Sequence, residues 1–347
     1  MQVIQGIDYF YLFAATFFIV GLLTPLMRKI AIRADIIDRP IHSHKTHKAP
    51  VPYLGGVAII LGILIVSYGG LILKNRTGGD FGIASSLLIP ATILGIIGLL
   101  DDRKSLPPLP RFIAQSIAGI FTAVFLIATN TVGNPSGNSA IDALITILWV
   151  VGITNAINFF DNLDGGAAGA VATISFGLFL IAHSNGQYFL AALSATTFGA
   201  MLGFLLWNKS PARIYMGDAG ALFLGILISV LALRLNPEVD GKFTSFSIPI
   251  LLLAIPILDT SVAVLSRIKR GVSPFQGGRD HLSHRLMGRG LKKRRAVLIL
   301  WGFALFFAFL ALATSLAPYQ LEGVLTAIGI ISWVALFIFF LLQKDDN

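Results

Sequence analysis

The 347-residue sequence has no cysteine, so disulfide staples and thiolate metal sites are excluded. Charge is also scarce: Asp, Glu, Lys and Arg make up 12% of the chain, against 55% hydrophobic residues. With a mean hydropathy of +0.81, too little polar surface exists to cover a soluble globule. No soluble domain, repeat period or low-complexity tract is visible. The N-terminus lacks the basic stretch of a cleaved signal, and its apolar run is too long for one, so it reads as a first span. Acidic residues number 17 against 26 basic ones. In so apolar a chain that excess points to loops facing anionic lipid, and not to nucleic acid.

What is present is a series of apolar runs of the length that crosses a bilayer, about 17–25 residues. They predict an all-α, polytopic integral membrane protein with a single transmembrane domain over residues 1–347. About eleven spans are expected, at Tyr9–Ile32, Tyr53–Leu73, Phe81–Leu100, Arg111–Ala128, Ala140–Phe159, Gly165–Ala182, Tyr188–Trp207, Gly217–Leu233, Phe246–Ile268, Ala296–Leu316 and Leu321–Leu342. The loops near 33–52, 101–110, 160–165, 208–217 and 269–295, with the C-terminus and the adjoining span ends that carry Arg28, Lys29, Arg111 and Arg267, hold all but four of the Lys and Arg residues. The exceptions are Lys74, Arg76, Arg234 and Lys242. Basic loops stay in the cytosol, which predicts an external N-terminus and a cytosolic C-terminus.

The same side collects the chemistry. Asn158, Asp161 and Asp164 are spaced i, i+3, i+6, so a helix would put all three on one face, ahead of Gly165, Gly166 and Gly169. Asp101 and Asp102 close the third span, where negative charge opposes the helix macrodipole unless a cation is near. An exposed turn paired with Arg103 or Lys104 is the plainer reading. Asp218 opens the eighth span, either as a simple N-cap or as a hard-cation ligand beside the other carboxylates. His281 and His284, with Arg279 and Arg285, form a basic bed suited to phosphates, and zinc lacks a third ligand there. His42, His44 and His47 lie in a second basic loop, more in keeping with lipid phosphates than with a metal. Asp259 lies inside the ninth span, and its role stays open between function and structure. Carboxylates gathered at one membrane face suit an enzyme better than a lipid flippase or transporter, whose key groups sit near the midplane.

In this order Asp101-Asp102, Asn158-x-x-Asp161-x-x-Asp164-Gly165, Gly217-Asp218 and the His281-Leu-Ser-His284 loop resemble the polyprenyl-phosphate N-acetylhexosamine-1-phosphate transferases. The likeness runs from Asp38-Arg-Pro and the His47…Pro52-Tyr-Leu-Gly55-Gly56 segment through His284. It implies transfer of a HexNAc-1-phosphate, most simply GlcNAc-1-phosphate, from a UDP-sugar to undecaprenyl phosphate, releasing UMP, in a bacterial inner membrane. It further implies Mg²⁺, with Mn²⁺ as the alternative, held by Asp218 with Asp102 and Asn158. Asp101, Asp102 and Asp161 would be catalytic. Lys45, Lys48, Asn158, Asp164, Tyr215, Arg279, His281, His284 and Arg285 would bind substrate. Homodimers are usual among bacterial relatives. The family loop usually reads His-x-His-His, and Ser283 stands where the middle imidazole is expected. That version looks closer to the GlcNAc branch than to the branch transferring phospho-MurNAc-pentapeptide. A CDP-alcohol phosphotransferase fits less well, because Asp164-Gly165 is not followed by that family's pattern.

Overall fold

The computed structural model describes residues 6–38, 50–76, 78–104, 107–129, 137–239, 241–273 and 278–343. The histidine-rich segment 39–49, with Lys45 and Lys48, lies outside the described residues. In hydrocarbon a backbone must close its own hydrogen bonds, and the apolar runs do so as helices. In chain order these are α1 (Gly6–Arg33), α2 (Gly55–Leu73), α3 (Gly78–Lys104), α4 (Pro108–Ala128), α5 (Ser139–Phe160), α6 (Gly166–Ser184) and α7 (Tyr188–Asn208). They continue as α8 (Gly217–Arg234), α9 (Lys242–Leu252), α10 (Ala254–Lys269), α11 (Leu282–Gly288), α12 (Lys293–Leu316) and α13 (Tyr319–Leu341).

Ten of these helices are long and apolar enough to cross a membrane. The expected span Phe246–Ile268 is not one straight helix. It divides into α9 and α10, which meet at Leu253 with a 77° bend. Pro249 and Pro256 flank the break, and each removes a backbone donor from the helical ladder.

The bundle is organised around α8, in which every residue from Ala219 to Ala232 is buried. Helices α2, α3 and α5 pack against it, while α7 joins α1 to α6. Outer helices turn apolar side chains such as Leu22, Leu73 and Val124 outward, as lipid contact requires. A two-residue antiparallel ladder pairs β1 (Ile37–Asp38) with β2 (Val51–Pro52) at the end of the bundle that carries the acidic motifs.

Candidate active site

The site begins where α3 ends against the start of α8. Gly98 lets the two backbones touch, since a Cβ there would lie 2.3 Å from the Asp218 carbonyl oxygen. Gly217 has a φ of +69°, and a Cβ on it would lie 2.4 Å from Asp102 Oδ2. Asp102 then accepts from the backbone N–H groups of Asp218 at 2.8 Å and Ala219 at 3.2 Å. The side chain of one helix therefore satisfies the orphan donors that open another. Asp218 is not the N-cap; Met216 holds that position and its side chain makes no capping bond. Both Asp102 oxygens accept backbone N–H groups, so this carboxylate pins the start of α8 to the end of α3.

Asp218 itself is drawn into a polar cluster. Asn158 Nδ2 donates to Asp218 Oδ1 at 2.7 Å, and Arg111 Nη1 lies 3.1 Å from Asp218 Oδ2 and 2.8 Å from Asp101 Oδ2. Arg111, from the first turn of α4, is the cation that the carboxylates at the C-terminus of α3 require. Asp101 is buried at 5% exposure, while Arg111 and Asp218 stay open at 29% and 30%. Sequence reasoning counted Arg111 only as a topology charge, because its partners are remote in the chain.

Asn158, Asp161 and Asp164 do not share one helical face. Helix α5 stops at Phe160, where Asn162 Nδ2 takes the carbonyl of Phe159 at 2.9 Å, and Asp161 leaves helical geometry at ψ 50°. The chain then turns toward α8. Burial first, then the negative charges of Asp218 and Asp164, push the Asp161 carboxyl up to about 7. Asp164 ties down the 209–216 connection, accepting from Ala212 N at 3.2 Å and from the Tyr215 hydroxyl at 3.4 Å. Asn208 closes the same join by accepting from Gly165 N and donating to the Ile214 carbonyl. Tyr215 is also gripped by its backbone, between Pro52 and Gly55, and its ring lies 6.2 Å from that of Tyr53. Burial, then Asp164, drives the Tyr215 phenol strongly upward, so it remains a hydroxyl donor.

The histidine loop behaves differently. Asp259 accepts from the Leu282 N–H at 2.7 Å and bonds His281 Nδ1 at 2.7 Å. Arg267 Nη2, which can only donate, lies 3.2 Å from His281 Nε2. Nε2 therefore accepts, and the ring proton sits on Nδ1, facing Asp259. Arg267 also forks onto Asp280 at 2.8 and 2.7 Å, and Arg270 adds a third bond at 2.7 Å. These guanidinium contacts hold the Asp280 carboxyl below its usual range against the opposing cost of burial.

Two of the residues expected at phosphates make their contacts within the protein. Both nitrogens of His281 are engaged within the protein. Arg285 is buried, donating to the carbonyls of Asp280, Phe340 and Gln343 and to Ser266 Oγ, so it fastens α10, α11 and the end of α13 together. Arg279 is half-buried near His284. Burial, with the positive charge of Arg279, pushes His284 down to about 4, so it is a neutral ring at neutral pH. Ser283 donates to Asn162 Oδ1 at 2.6 Å, joining this loop to the end of α5.

Among the described residues no group of three or more His, Asp or Glu side chains converges as a metal cage. The oxygen donors at Asp101, Asn158 and Asp218 nonetheless suit a hard cation that takes one or two carboxylates and completes its shell with phosphate and water.

A family model for glycosyl transferase family 4 matches residues 84–236, the segment that carries Asp101 through Asp218. A Bacillus subtilis (strain 168) relative is 32% identical over 95% of this chain and 88% of its own length. This chain belongs to glycosyl transferase family 4. The Bacillus relative is named "Probable undecaprenyl-phosphate N-acetylglucosaminyl 1-phosphate transferase". A decaprenyl-phosphate N-acetylglucosaminephosphotransferase from Mycobacterium tuberculosis (strain H37Rv) is 31% identical over 92% of this chain and 86% of its own. A phospho-N-acetylmuramoyl-pentapeptide-transferase from Streptococcus agalactiae serotype III is 33% identical over a shorter stretch, 57% of this chain and 64% of its own. Family membership makes the open carboxylate cluster the candidate active site.

Proposed function

We propose that the protein transfers GlcNAc-1-phosphate from UDP-GlcNAc to undecaprenyl phosphate at the cytosolic face of a bacterial plasma membrane. The products are undecaprenyl-pyrophosphoryl-GlcNAc and UMP, at the first membrane step of a cell-envelope glycan. The observation that carries this reading is the convergence of Asp101, Arg111, Asn158 and Asp218 at one end of a membrane bundle. The names of the relatives matched over most of their length support the sugar phosphate and the polyprenyl acceptor.

An oxygen of the lipid phosphate attacks the phosphorus that carries the sugar, and the bond from that phosphorus to the bridging oxygen of UMP breaks. Phosphomonoesters lose their second proton near ~6, so the nucleophile is mostly dianionic at neutral pH and needs no strong base. Such a reaction depends on in-line alignment and charge neutralisation. Arg111 is suited to grip phosphate oxygens through paired N–H donors, with Asp101 aiming its guanidinium. Asp218, with Asn158 and Asp101, would hold Mg²⁺ or Mn²⁺, which when bound neutralises charge on the pyrophosphate and the departing UMP. Asp161, whose carboxyl is pushed up by burial and by the charges of Asp218 and Asp164, would supply an acid–base group at the same end of the bundle. Direct displacement is favoured over an aspartyl-phosphate, because the dianionic lipid phosphate is already a competent nucleophile.

Purified protein supplied with undecaprenyl phosphate and Mg²⁺ should release UMP from UDP-GlcNAc and not from UDP-MurNAc-pentapeptide. Turnover with the pentapeptide nucleotide alone would keep the chemistry and move the protein to the branch of its shorter Streptococcus match. No UMP from either, with folding verified, would overturn the reading.

A further inference from the structure

A cavity of about 660 Å³ lies between α1, α2, α3 and α7, at the end of the bundle opposite the acidic motifs. That volume falls within the roughly 300–1,000 Å³ of ligand pockets. Its walls are apolar, and they run along the helices. On α1 the lining extends from Asp8 to Ile19, and on α2 from Lys74 back to Ile65. At 1.5 Å per residue these stretches reach about 13–16 Å into the bundle, roughly half of a ~30 Å hydrocarbon core. The depth is that of one acyl chain in one leaflet, which a soluble ligand would not require.

The mouth is charged in both signs. Only four basic residues lie on this side of the sequence-derived topology, and two of them, Lys74 and Arg76, ring the opening with Asp8 and Asp80. Lys74 is paired with Asp8 at 2.7 Å, and Arg76 and Asp80 add one further charge of each sign to the lining. Tyr11 and Tyr188 stand at the same level, where amphipathic rings favour the interface. A headgroup with a phosphate and a primary ammonium matches this rim better than a purely anionic one. A quaternary ammonium matches it less well, because it has no N–H to give a carboxylate.

We propose that this crevice binds one phosphatidylethanolamine molecule, with an acyl chain between α1, α2, α3 and α7, its phosphate toward Arg76 and its ammonium toward Asp80. The lipid would brace α3, whose far end carries Asp101 and Asp102. The wall is open at Gly69, where an added Cβ would meet no atom within 4 Å. Gly69 lines the crevice, so Gly69→Phe sets a bulky ring at its wall with no clash at Cβ, and removing a mid-helix glycine favours folding.

The test uses the full chain, stripped of lipid in detergent and offered phosphatidylethanolamine, phosphatidylcholine or phosphatidylglycerol, with bound lipid read by native mass spectrometry. Wild type should retain one phosphatidylethanolamine in preference to the others. Gly69→Phe should lose it while keeping a lipid-free thermal midpoint at or above wild type. Arg76→Gln and Asp80→Asn should each weaken retention about tenfold, the worth of a charged hydrogen bond. Wild-type retention by Gly69→Phe, or equal retention of the three lipids, would overturn the proposal. So would a change of oligomeric state in Gly69→Phe without lipid loss, which would give the crevice to a second copy.

Discussion

Two polar clusters occupy the same end of the bundle and use the same residue types. Around Asp218, one arginine is shared between two carboxylates, and both Arg111 and Asp218 remain about 30% exposed. Around Asp280, two arginines converge on one carboxylate that is 0% exposed, with Arg267 at 3%. The first cluster keeps donors and acceptors that a substrate can reach. The second turns Asp280 and Arg267 wholly inward, where burial makes their contacts costly to lose, and only Arg270, at 35% exposure, reaches the surface. Residue type alone therefore does not tell the two clusters apart; the exposure of their carboxylates does.

The comparison breaks most visibly if the buried cluster is opened. Asp280→Ala leaves Arg267 without its carboxylate, and should cost about 3–5 kcal/mol of stability, read as a lowered thermal midpoint in detergent. Asp218→Asn should do the reverse. Its midpoint stays near wild type, while UMP release falls about 10²–10³-fold, the usual loss when a charge-stabilising group is removed. Asp259→Asn lies between the two. It disturbs His281 and the start of α11, and should cost about 1–3 kcal/mol of stability with a smaller loss of activity.

The smallest expected effect is a pH dependence. His284 is held down to about 4 in the folded protein, against 6.5 when exposed. The unfolded chain binds its proton first, so stability is full above about 6.5 and declines as pH falls toward about 4. His284→Gln should remove that component, visible as a flatter profile of thermal midpoint against pH.

The span count was legible because hydrophobic length is a local property. The break at Leu253 was not, since the apolar run continues through it and prolines near helix breaks also occur in unbroken spans. The acidic motifs were visible as types and as neighbours on one side. Their division of labour was not, because it depends on contacts between residues far apart in the chain. Asp102 and Asp218 are 116 positions apart, and only the close approach at Gly98 and Gly217 turns one into the cap of the other's helix. Helical spacing misled at Asn158, Asp161 and Asp164, because Asn162 ends the helix in the middle of the motif. Arg285 was expected at phosphates, and its bonds to Ser266 and to the carbonyls of Phe340 and Gln343 join elements whose meeting no local spacing shows.

The central claim is that the open cluster does the chemistry and the closed one holds the shape. Its most direct test is UMP release from UDP-GlcNAc by wild type, Asp218→Asn and Asp259→Asn, measured with and without Mg²⁺ and below each variant's thermal midpoint. The account predicts Mg²⁺-dependent release by wild type, and release by Asp259→Asn in proportion to its folded fraction. Asp218→Asn should be folded and nearly silent. Full turnover by Asp218→Asn would contradict it.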